Sequence, residues 1–154
     1  MRRTAEPKVG TLLQDVAGTV QGNWFTPGGS FTTTSDFSPF LALAHDYVDP
    51  RQPIFSMGSS VKGVRLGLYS FVPRSSGLVN RDFADVAPGR VYCYEAFLGG
   101  TSVGKLTLGS IEGVLLVSMP SATRLLVEKQ GAAGATCESV RPWTMTAGAA
   151  SFER

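Results

Sequence analysis

The sequence predicts a single all-β domain, built as an antiparallel barrel of about eight strands, with a β-sandwich as the alternative. Three observations carry that expectation. Short apolar runs recur along the chain, and turns rich in glycine, proline, serine and threonine separate them. Several runs alternate with the period of two that a half-buried strand requires. Almost no segment has the period of a helix.

The chain has 154 residues, the size of one domain. Hydrophobic residues make up 43% of it, enough for a core, and charged residues only 17%. Residues 1–8 read as a flexible arm, residues 9–146 as the barrel domain and residues 147–154 as a C-terminal tail. The net charge of +2 is small and the arginines are scattered, so no nucleic-acid surface is expected. No run approaches the roughly 20 apolar residues of a membrane helix. Residues 1–8 lack the apolar stretch of a secretory signal.

Residues 10–25 form one long strand, or two with a bend at Val16, Ala17 and Gly18. In its second half Thr19, Gln21 and Asn23 alternate with Val20, Gly22 and Trp24. A polar loop follows through Thr26, Pro27 and the threonines 32–34. The apolar run 40–44 fits a strand or a short helix, since Ala and Leu favour helices. His45 to Pro50 reads as a turn, and residues 54–57 as a short strand. Residues 63–71 form a clearer strand whose glycines suggest a bulge or close backbone approach. Residues 73–88 are a long connection.

Strands are then expected over residues 90–97, 103–108, 113–119 and 123–129, with a closing strand over 135–140. Leu115 and Val117 face away from Val114 and Leu116, and Leu125 and Val127 away from Leu126 and Glu128. Tyr92 and Tyr94 share one face, Cys93 and Glu95 the other. Apolar residues on both faces imply an oligomer interface, a covering N-terminal segment or an apolar cavity.

Gly22-Asn23-Trp24 resembles the glycine-x-tryptophan of the first barrel strand in lipocalins and the wider calycins. That resemblance implies a Trp24 that plugs the barrel base, with Arg141 or Arg124 packed on its ring. It also implies a cavity for a small apolar or amphipathic molecule. The family's Thr-Asp-Tyr turn and its long final helix have no counterpart in this chain.

The candidate ligand-binding residues are Tyr92, Tyr94, Glu95, His45, Tyr69 and Arg124. Inward tyrosines would supply hydroxyls to orient a ligand. An inward Glu95 would need a partner, with Arg65, Arg74, Arg81 and Arg124 as candidates, or would carry a raised pKa. His45 is the only histidine, so a nucleophilic triad has one available base, with Asp46 or Asp49 beside it and Ser56, Ser59 or Ser60 as nucleophile. Asp46 and Asp49 suit turn caps better than a cation site, and no metal or cofactor is implied. The phosphate loop, dinucleotide fingerprint and Cys-x-x-Cys are missing from the sequence.

Binding of a small apolar or amphipathic molecule in a barrel cavity is thus the leading expectation. The alternatives are an enzyme using an acid or base in that cavity, or a filled structural module that forms a homo-oligomer. Cys93 and Cys137 are either two buried thiols or a disulfide worth roughly 2–4 kcal/mol. Bridging implies a secreted or periplasmic protein, free thiols a cytoplasmic one.

Overall fold

The computed structural model describes residues 14–29, 39–101 and 105–154. The strands are β1 (Gly22–Phe25), β2 (Phe40–His45), β3 (Pro53–Met57), β4 (Gly67–Ser70), β5 (Val91–Tyr94), β6 (Gly100–Thr101), β7 (Thr107–Leu108), β8 (Val114–Ser121), β9 (Arg124–Gln130) and β10 (Ala150–Glu153). They make one ten-stranded sheet in the order β5-β8-β9-β10-β1-β2-β3-β4-β7-β6. Neighbours are antiparallel except β4 and β7, which are parallel. No helix among the described residues is long and apolar enough to cross a membrane.

The expected closed barrel is not formed, and with it falls the likeness to calycins. A sandwich of two sheets is not formed among the described residues either, since every strand there belongs to one sheet. The reason lies at the free side of β5. Closure would need its backbone groups to bond β6, the strand at the other edge of the sheet. Instead the 73–88 connection runs beside it: Cys93 N donates to Leu78 O at 2.9 Å and Asn80 N to Cys93 O at 2.9 Å. The Asn80 side chain extends this contact, accepting from Glu95 N and donating to Glu95 O. Past Tyr94 the chain turns away through Ala96, whose φ is 53°. Among the described residues a single bridge, Leu98 to Ser70, reaches β4 from this side.

One face of the sheet builds the main core. Alternation delivers Trp24 from β1, Leu41 and Leu43 from β2, Phe55 and Met57 from β3, Leu115 and Val117 from β8, Leu125 and Val127 from β9 and Phe152 from β10. Phe55 lies 5.1 Å from the Tyr94 ring and 4.8 Å from Phe83, so β3 and β5 meet across the core although they stand far apart in strand order. Edge-to-face rings of this kind add attraction beyond the area they bury.

The other face of β5 and β8 carries a second cluster of Cys93, Val114 and Leu116. The segment 131–149 covers it with Cys137, Val140, Trp143 and Met145. A covering segment accounts for this second apolar face, but it is residues 131–149 after β9 rather than the expected N-terminal segment. Cys93 and Cys137 form a disulfide across a sequence separation of 44. Trp143 Nε1 donates to Cys137 O at 2.7 Å, and Gln130 Nε2 to Thr144 O at 2.9 Å. Glu128 accepts from Thr146 N at 2.8 Å and from the Thr146 hydroxyl.

Several boundaries move. Residues 40–44 form a strand rather than a helix, because Leu41 and Leu43 alternate into the core. Residues 135–140 are turns and not the closing strand. The expected tail at 147–154 instead contains β10, paired with β9 through Phe152 and Leu125 and with β1 through Glu153 and Phe25. Of the expected 103–108 strand, residues 103 and 104 lie outside the described residues, and Thr107–Leu108 form β7. The expected arm, residues 1–8, lies outside the described residues, as does the polar loop at 30–38.

Candidate functional site

A cleft of about 380 Å³ opens where β4 and β9 meet the loops before β4 and β8. Tyr69 and Val64 reach it from the core, and Arg65, Ser110, Glu112 and Lys129 line it with polar groups.

Local sequence explains each position. Between β3 and β4, Val61 and Val64 turn inward and are 2% and 8% exposed, which leaves Arg65 on the solvent side. Along β9, Leu125 and Val127 face the core, so the period of two puts Lys129 on that same face near the strand end. Before β8, Ile111 packs against the core while Ser110 and Glu112 stay exposed. Tyr69 is in phase with the core-facing side of β4 and its hydroxyl donates to Arg65 O at 2.7 Å. Burial raises the Tyr69 pKa, and the nearby Arg65 charge opposes that rise in part.

The charges of this cleft are not paired with one another or with other described residues. None of the ion pairs among the described residues involves Arg65, Glu112 or Lys129. Among the described residues Lys129 Nζ makes one bond, to Gly131 O at 3.1 Å, which leaves donors over.

The other sequence-predicted residues lie elsewhere. Tyr92 and Tyr94 are core residues, 6% and 0% exposed, and the Tyr94 hydroxyl donates to Arg81 O at 3.0 Å. Burial holds the Tyr94 pKa well above its ordinary value. Glu95 is half-buried and ties down the covering segment: it accepts from Cys137 N at 2.6 Å and pairs with Arg74 at 3.2 Å. Arg124 is exposed at the start of β9. Trp24 is fully buried and carries the guanidinium of Arg154, rather than of Arg141 or Arg124, 4.3 Å over its ring. Arg141 stacks on Trp143 at 4.3 Å and pairs with Glu138. Tyr69 is thus the one ligand-binding candidate that reaches the cleft.

His45 has a carboxylate partner, but a different one from those expected. Its Nε2 lies 3.0 and 3.1 Å from the Asp82 oxygens. Burial pushes the Asp82 carboxyl up, yet the bonds from His45 and the Ala84 N–H outweigh it and hold the pKa below its ordinary value. Asp46 instead caps its own turn, accepting from Val48 N and Asp49 N, and Asp49 holds Arg51. Asp46 and Asp49 are thus both engaged within their own turn.

Arg65, Glu112 and Lys129 went unrecognised as a set. The phase of Lys129 with Leu125 and Val127 was a readable signal, but the spatial meeting of a loop, a second loop and a strand end was not. No protein-family model matches the chain, and no curated protein or solved structure matches it.

Proposed function

We propose that the cleft at Tyr69 binds a small molecule bearing a carboxylate or phosphate. The carrying observation is that two cations, Arg65 and Lys129, line one cleft without an ion-pair partner among the described residues. A guanidinium suits planar bidentate recognition of such anions, and an ammonium adds a movable point charge. Tyr69 forms the floor and, tied to Arg65 O, couples that floor to the Arg65 loop. This reading replaces an apolar ligand in a barrel cavity, because the sheet is open and its core face is filled by side chains. Among the described residues these groups recognise charge, and the reading is of binding.

The disulfide supports a secreted or periplasmic location in this proposal, since such bonds persist in oxidising compartments.

Isothermal titration with acetate, citrate and inorganic phosphate tests the binding. Binding by at least one of them, weakened about tenfold or more in Arg65→Gln and in Lys129→Gln, is the expected result. Affinity should also fall with added salt. Absence of binding by all three at millimolar concentration, or equal binding by both variants, overturns the reading.

A further inference from the structure

Glu112 is unusual company for two cations that wait for an anion. It lines the same cleft of about 380 Å³, is exposed, and forms no ion pair with either Arg65 or Lys129. Opposite charges on one small wall would ordinarily neutralise each other if their side chains met. Here the carboxylate comes from the loop before β8, while the cations come from the loop before β4 and the end of β9. A carboxylate and two cations thus line one opening with no ion pair between them.

A purely anionic ligand would gain from Arg65 and Lys129 and be opposed by Glu112. A ligand with an ammonium group at its other end would engage both poles. We infer that the cleft selects a small zwitterion, with its carboxylate on Arg65 and Lys129 and its ammonium on Glu112. This rests on the anion-binding reading above, and it adds the class of molecule. Ser110, also in the lining, offers a hydroxyl that donates or accepts beside the acidic pole. Discrimination of this kind works through a group that attracts the right ligand and repels the wrong one.

The test compares matched pairs of probes by titration calorimetry on the intact protein. One series is β-alanine, γ-aminobutyrate and ε-aminocaproate; the other is propionate, butyrate and caproate. The chain lengths sample the separation between the poles. At least one amino acid should bind about three- to tenfold tighter than its matched carboxylate, the range expected of an exposed ion pair reinforced by a charged hydrogen bond. Glu112→Gln should erase that difference and leave the carboxylate bound as well as before or better. Glu112 is on the surface, so its variant keeps the fold, and an unchanged melting temperature verifies this. If every carboxylate binds as tightly as its amino counterpart, the zwitterion inference falls and anion binding stands. If Glu112→Gln leaves the preference intact, the role of Glu112 falls. If neither series binds while citrate or inorganic phosphate does, the zwitterion inference falls and anion binding stands; if none of these binds, both readings fall together.

Discussion

The guanidinium of Arg154 lies 4.3 Å over the Trp24 ring and bonds three ways around it: Nη2 to Thr19 O at 2.9 Å, Nη1 to Gln21 O at 3.2 Å and Nε to Ala122 O at 3.2 Å. Trp24 Nε1 in turn donates to Val20 O at 2.8 Å. One cation thus fastens the chain before β1 to the turn between β8 and β9. Burial lowers the Arg154 pKa, with the Asp15 charge opposing. Beside this lock, a side chain at Gly22 would collide with the Asp15 carboxylate that accepts from Asn23 N.

Arg154→Ala should therefore destabilise the fold by about 2–4 kcal/mol, from a cation–π contact and charge-assisted bonds that do not add fully. Arg154→Lys should recover less than half, because an ammonium cannot reproduce the planar fork. Urea denaturation measures both. A loss below the scatter of the measurement for the alanine variant would show the lock to be idle.

The disulfide should matter most to the covering segment. Replacing both Cys93 and Cys137 by alanine should cost roughly 2–5 kcal/mol. Its local signature should be a red shift of Trp143 fluorescence, because Trp143 bonds Cys137 O and packs in the cluster behind the bridge. Trp24 is fully buried in the main core and should stay unshifted. Amide exchange should quicken over residues 135–146 and hold over β1 to β3. Uniform loss of protection would mean that the segment and the sheet unfold as one.

These two relationships mark what the sequence could and could not reveal. The faces of β5, β8 and β9 were legible, because a period of two assigns Tyr94 and Val127 to one side and Cys93 and Leu116 to the other. What covers the second face was not, because Val140, Trp143 and Met145 follow no strand or helix period. β10 passed as a tail since it has one large apolar residue, Phe152, after a run of alanines. Barrel closure fails for a non-local reason: residues 78–80 occupy the free side of β5, and no local pattern announces a parallel contact across a connection. The cleft suffered likewise. Arg65, Glu112 and Lys129 are far apart in sequence, and each alone reads as a surface charge.

Acid should weaken the fold through two carboxylates. Burial pushes the Glu128 pKa up, but the Thr146 backbone and hydroxyl bonds and that of Gln130 outweigh it and hold it below its ordinary value. Asp82 is held low by His45 and Ala84 against the same burial. A carboxyl with a depressed folded pKa contributes stability that is fully present above its unfolded value, near about 4, and is lost as pH falls through the folded value. Urea midpoints should thus be level on the alkaline side of that window and decline within it. Glu128→Gln should lower the midpoint at neutral pH and flatten the decline. An unchanged slope in that variant would remove Glu128 from the cause.

Gly109 should control the floor of the cleft. A Cβ there would lie 2.6 Å from Tyr69 Cε1 and 3.2 Å from Cδ1 and Cζ. The backbone cannot withdraw cheaply, because Gly109 N donates to Leu68 O at 2.7 Å beside the β4–β7 contact. The ring itself must move, and Phe97 packs edge-on at 6.4 Å. Movement of the ring breaks the Tyr69 bond to Arg65 O and shifts the Arg65 loop. Gly109→Ala should thus cost about 1–3 kcal/mol, the usual toll of overpacking. It should also weaken anion binding, although Gly109 itself carries no charge. Tyr69→Leu takes away the ring that the methyl would strike. Denaturation of the double variant should then show a loss smaller than the two single losses added, since the sites are in contact. Strict additivity would place the cost of Gly109→Ala in the backbone and detach it from Tyr69.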